Sequence, residues 1–159
     1  MDFLTLLFLF AITLHNMEEA LWLPKWSENA GKFQKKVKQN EFLFAVIVIT
    51  SMAYLTVFFH YVLGNMITTI ILVGFLGAMV FNAIFPHLIA SIILKQYAPG
   101  VVTGVLLHLP VNSYIIYHYV QADKISWVGV ILATVFIGVI LLSMIPVLFR
   151  VGAKILPKS

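Results

Sequence analysis

Five stretches of this chain are long and apolar enough to cross a lipid bilayer, running from about residue 2 to 23, 41 to 62, 66 to 94, 99 to 120 and 126 to 149. A hydrocarbon core about 30 Å thick takes about 20 residues of helix. Inside it every backbone N–H and C=O must be bonded within the structure, which leaves helices as the spanning form for runs of this length. The sequence therefore predicts an all-α fold: a polytopic membrane protein built as one compact bundle of five transmembrane helices, a single domain over residues 1–159. With 62% hydrophobic and 10% charged residues, the chain lacks the polar surface of a soluble domain. The first stretch reads as a span rather than a cleavable leader, because Asp2 stands where a leader is basic and no small-residue cleavage site follows.

The breaks between spans are turn-like. Gly64-Asn65, Tyr97-Ala98-Pro99-Gly100 and Gln121-Ala122-Asp123-Lys124 are short, so consecutive helices should be antiparallel neighbours. The connection between the first two spans is longer and carries Lys25, Lys32, Lys35, Lys36 and Lys38. Lys95 follows the third span, and Arg150, Lys154 and Lys158 follow the fifth. All of these fall on one side, against Lys124 alone on the other. The positive-inside rule then puts the N-terminus outside and the C-terminus in the cytoplasm of a bacterial cytoplasmic membrane. The net charge of +4 is explained by this asymmetry and carries no nucleic-acid reading. From Ser27 to Asn40, Phe33 and Val37 lie four apart among lysines, after Trp22 and Trp26, a pattern that suggests a basic interfacial helix on the inner leaflet.

Residues 15 to 19 read His-Asn-Met-Glu-Glu. The apolar run before them covers only about 18 Å, so the first helix must continue through the motif to span. An acidic residue in mid-membrane costs about 2.5–3.5 kcal/mol even on the lenient insertion scale, a burden usually carried for function. Counting rise along each helix brings His87 on the third span and His108 on the fourth to the level of His15, Glu18 and Glu19, in the inner half of the bilayer. Asn82 and Asn112 sit one to two turns further out. His60 and His118 belong near the opposite interface. Pro86 and Pro110 bend their helices close to the polar level, and Gly74, Gly77, Ala78, Gly100 and Gly104 allow close helix approach.

With no cysteine, any metal must take nitrogen and oxygen ligands. Imidazole and carboxylate groups from several helices suit zinc or non-haem iron. The spacing His15-x-x-Glu18-Glu19 resembles the inverted zinc-protease motif H-x-x-E-H, in which the outer residues bind zinc and the inner glutamate handles protons. On that layout His15, Glu19, His87 and His108 are candidate ligands of a divalent metal, zinc favoured over iron. Glu18 is the candidate catalytic base, and Asn82 and Asn112 would orient a substrate or the ligands. The competing reading is a hydrogen-bonded network that fixes helix packing, although two adjacent carboxylates exceed what packing requires.

His15-Asn16-Met17-Glu18-Glu19, with Asn82, Pro86-His87, His108 and Asn112, resembles the HXXEE-domain family of small bacterial integral membrane proteins, over roughly Leu4 to Val120. The resemblance implies a membrane-spanning architecture and the importance of these positions; it implies no reaction.

The expectation that follows is a membrane metalloenzyme hydrolysing a lipid or small hydrophobic substrate with a metal-activated water. The alternatives are a metal-free acid–base lipid isomerase and a proton- or ion-coupled transporter. A transporter would need polar steps toward both faces, and a homodimer to supply helices that one chain lacks.

Overall fold

The computed structural model describes residues 3–30 and 36–156, which form helices and turns without a strand. We number the helices α1 (Phe3–Ser27), α2 (Gln39–Leu63), α3 (Met66–Leu94), α4 (residues 101–121) and α5 (Trp127–Ile155). All but α4 are long and apolar enough to cross a membrane, and the chain is a helical membrane protein. α4 is the polar member, because it carries His108, Asn112 and His118.

Helix ends follow local chemistry. Gly64 closes α2 in the left-handed region at φ 54°, and the Asn65 side chain caps α3 by accepting from Thr68 N at 3.0 Å. Ser126 caps α5 through Gly129 N at 3.1 Å. α1 runs one turn past the expected end at Leu23. Pro24 has no N–H to give the Ala20 carbonyl four residues back, and the Gln39 side chain donates to that carbonyl at 3.0 Å instead.

The interfacial helix expected around Phe33 and Val37 is not the arrangement found in the described part of the loop. Phe33 lies outside the described residues. Residues 36–38 are not helical, and Val37 is buried, with its N–H donating to Ser27 Oγ at 3.0 Å. Ser27 in turn donates to the Pro24 carbonyl at 2.7 Å, so a hydroxyl ties the loop back to α1.

α3 is the most buried span and packs along α5, while α1 packs against α2 and α4. Gly74 and Gly77 make the α3–α5 approach possible: an added Cβ would lie 2.6 Å from the Ala133 carbonyl oxygen and 1.9 Å from Thr134 Oγ1. A dry core of Phe8, Ile12, Leu72, Phe75, Leu76 and Ile115 fills the space between α1, α3 and α4 on the side of the α2–α3 turn.

On the other side of that core two helices lose regularity together. α3 opens into a π-type turn over Ala83–Leu88, with Phe85 extended at φ −128°, ψ 115°. A residue before proline is pushed out of the helical region in this way. α4 has a second π-type turn over Gly104–His108, just ahead of Pro110. The two turns touch, with Gly104 against Ala83. Irregular backbone at membrane depth is tolerated where protein or a cavity surrounds it.

A candidate metal centre at two broken helices

Residues at i and i+5 on a regular helix point about 140° apart. The break at Phe85 removes that separation, and Asn82 and His87 face one point. Asn82 Nδ2 lies 3.2 Å from His87 Nε2 and 3.2 Å from His15 Nε2. Glu19 Oε1 completes the group, 2.9 Å from His87 Nε2 and 3.8 Å from His15 Nε2. One ligand atom from each of His15, Glu19 and His87 falls within 4.8 Å of the others. His15 and His87 are buried, and the Glu19 side chain keeps 13% of its exposure.

The far nitrogen of the His15 ring is held from behind. His15 Nδ1 is 3.0 Å from Thr103 Oγ1. That hydroxyl donates its proton to Glu18 Oε2 at 2.6 Å, so it can only accept from His15. His15 therefore carries its proton on Nδ1 and turns a lone pair on Nε2 toward Glu19. Fixing the remote nitrogen in this way sets both tautomer and orientation in metal sites. His87 Nδ1 faces the loop at Gly100, where an added Cβ would lie 2.9 Å from it.

Glu18 has an occupation that the motif spacing does not suggest. Its Oε1 accepts from Gly100 N at 2.8 Å and from the Tyr97 hydroxyl, and its Oε2 accepts from Thr103 N at 2.9 Å and from Thr103 Oγ1. Gly100, at φ 91°, is the N-cap of α4 and offers no side chain. The carboxylate of α1 thus caps another helix, meeting free N–H groups and the positive end of the helix dipole. The lone-pair directions of Glu18, the base expected from H-x-x-E, are taken by four donors at the start of α4, an anchoring geometry. Burial and the Glu18 hydrogen bond push the Tyr97 phenol up from its ordinary value.

His108 lies beside the cluster without joining it. Its ring packs edge-on against His15 at 4.8 Å between centroids, and His87 packs against the same ring at 5.2 Å. Asn112 Nδ2 sits 3.0 Å from His108 Nδ1 and donates to the Leu76 carbonyl at 3.3 Å. His108 Nε2 and Asn112 Oδ1 are fully buried with no hydrogen-bond partner among the described residues. The ligand atoms that converge belong to His15, Glu19 and His87, with the His108 ring packed beside them. His60 pairs with the Tyr119 hydroxyl at 2.7 Å and His118 is exposed, both apart from this site.

Sequence reasoning missed Tyr97, Pro99, Gly100 and Thr103. One signal was present: a carboxylate inside a membrane needs donors, and the start of α4 offers unpaired N–H groups at that depth. Gly100 is also required sterically, since a Cβ there would lie 2.8 Å from His87 Cε1 and 3.0 Å from His15 Cε1.

Fold and site together define a helical membrane protein with a buried His/Glu cluster suited to a divalent cation. The chain belongs to the family described as "Protein of unknown function with HXXEE motif", whose model matches residues 6–115 and so includes every residue of the cluster. It is 56% identical over 151 residues to a Bacillus subtilis (strain 168) protein named "Uncharacterized protein YrkK", covering 94% of this chain and 96% of that protein. No solved structure matches.

Proposed function

We propose that this protein is a divalent-metal-dependent membrane enzyme whose metal is held by His15, Glu19 and His87, and that it hydrolyses a lipid or another small hydrophobic molecule. The observation that carries the reading is the convergence of ligand atoms from two imidazoles and one carboxylate within 4.8 Å, with the remote nitrogen of His15 engaged from behind. A two-His, one-carboxylate set is typical of zinc and non-haem iron sites that keep a position open for chemistry, and the metal would activate water there. Zinc is favoured. His108 supports the reading as a buried imidazole beside the cluster, whose Nε2 has no hydrogen-bond partner among the described residues and is free to bond a substrate. By the positive-inside rule our reading sets the site in the cytoplasmic half of a bacterial cytoplasmic membrane, with the N-terminus outside. The dry core beyond the cluster argues against a transport relay, which needs polar steps through it.

The test is metal analysis of detergent-purified wild type, His15→Ala, His87→Ala and His108→Ala. Stoichiometric zinc or iron in wild type and His108→Ala, absent from the other two, is expected. Wild-type protein that stays metal-free after incubation with both ions would sink the proposal. For the reaction, metal-loaded protein in phosphatidylglycerol and phosphatidylethanolamine vesicles is assayed for released fatty acid or headgroup by mass spectrometry.

A second reading rests on the 2.9 Å contact between His87 Nε2 and Glu19 Oε1. That pair is placed for metal-free acid–base isomerisation of a lipid, and activity in the presence of a strong chelator would select it.

A further inference from the structure

The hydrogen-bond pattern around Asn82 does not close with neutral imidazoles and the amide nitrogen turned toward them. An amide nitrogen 3.2 Å from two imidazole nitrogens asks for a lone pair on both. Yet His87 Nε2 is also 2.9 Å from Glu19 Oε1, and that contact needs a proton on the same nitrogen. One Nε2 cannot accept from Asn82 and donate to Glu19 at once. A metal removes the conflict, because His15, His87 and Glu19 then all present lone pairs to it. The amide must then present its oxygen.

We propose, resting on the metal reading above, that Asn82 is the fourth ligand of the centre and binds through Oδ1. Four ligands at about 2.0–2.1 Å in a tetrahedron lie roughly 3.3 Å from one another. The edges from Asn82 to the two imidazoles are 3.2 Å each, and those from Glu19 to His87 and His15 are 2.9 and 3.8 Å. Rotating the amide exchanges oxygen for nitrogen at nearly the same point, so no backbone movement is required. The extended Phe85 is what gives Asn82 this position: an uninterrupted α3 would carry it away from His87. A neutral amide oxygen is the weakest donor of the four. It is the ligand an incoming carbonyl or water displaces, which lets a closed resting centre open for catalysis without moving a helix.

The test uses cobalt(II) as a spectroscopic substitute and zinc competition against a chelator, on detergent-purified wild type, Asn82→Ala and Asn82→Asp. Wild type should show the intense visible bands of a four-coordinate tetrahedral site. Asn82→Ala should lose most of that intensity and bind zinc more weakly by upwards of about 100-fold, beyond the 10- to 100-fold usual for an outer partner. Asn82→Asp, which keeps an oxygen in place and adds charge, should retain the tetrahedral bands and bind at least as tightly as wild type. Should Asn82→Ala fail to fold, Asn82→Asp decides: a residue that only donates to the imidazoles would be ruinous as a carboxylate, and weakened binding there overturns the assignment. A wild-type spectrum from folded Asn82→Ala overturns it too, while leaving the three-ligand centre standing. Wild type that takes up neither ion removes the centre and Asn82 with it.

Discussion

Replacing Glu18 with glutamine separates an anchor from a general base. The carboxylate receives two donors at each oxygen: Tyr97 OH and Gly100 N at Oε1, Thr103 N and Thr103 Oγ1 at Oε2. Glutamine must turn an NH2 toward one of those pairs. The tyrosine or threonine hydroxyl can rotate and accept, but the backbone N–H beside it cannot. At least one amide at the start of α4 is then left facing another donor, at a cost of about 1–3 kcal/mol. The remaining bonds lose their charge assistance, and charge-assisted bonds are roughly twice as strong as neutral ones. The total is about 3–5 kcal/mol. The expense of placing a carboxylate in the bilayer is common to the isolated inserted helix and the assembled bundle, so it does not offset this loss. Equilibrium unfolding in mixed detergent micelles should show the destabilisation, and metal content should fall with it. Glu19→Gln gives the contrast, losing the metal with only about 1 kcal/mol of stability, because its direct partner is one imidazole. A Glu18→Gln protein within about 0.5 kcal/mol of wild type, with metal bound, would refute the anchoring argument and return Glu18 to proton transfer.

Thr103→Val should lower zinc affinity by about 10- to 100-fold because His15 loses its tautomer-setting partner, and Thr103→Ser should restore it; equal affinities in the two variants would contradict the chain from Glu18 to His15. Gly100→Ala should abolish folded, metal-loaded protein, since the Cβ meets both imidazoles and φ is 91°, a result read from monodisperse yield. Tyr97 should ionise above the ordinary tyrosine range in an ultraviolet titration. Its phenol is raised by burial and by Glu18, so the stability it contributes is complete below the ordinary tyrosine pKa and is lost as pH rises through the higher folded-state value. Glu18→Gln should move that titration back toward the ordinary tyrosine range.

The helices and their approximate ends were legible because apolar length and turn residues are local properties. The common depth of His15, His87 and His108 was legible for a similar reason, as rise per residue is fixed once the ends are known. Roles were harder. Glu18 reads as a base from H-x-x-E spacing, and only the fold brings Gly100 and Thr103, more than 80 residues later, against it. His108 reads as a ligand from its depth, and only the fold shows which ligand atoms converge, those of His15, Glu19 and His87, with the His108 ring packed beside them. The alliance of Asn82 with His87 depends on one extended residue; Pro86 announces a bend there, but not its direction. Val37 went the other way: spacing put it on a lipid-facing helix, and a single serine hydroxyl draws it inside.

The capping of α4 by a side chain of α1 also bears on how the chain is made. α1 leaves the ribosome before α4, with a histidine and two carboxylates in its membrane stretch. The groups that receive Glu18 are encoded 82 and 85 residues later. Until α4 has been synthesised, the first helix is a poor membrane resident, lacking the N–H and hydroxyl donors that offset its charge. Its firm lodging in the bilayer is thus a late event of biosynthesis. Nascent chains arrested before Thr103 emerges should leave α1 extractable by alkaline carbonate, and chains extended past the end of α4 should hold it fast.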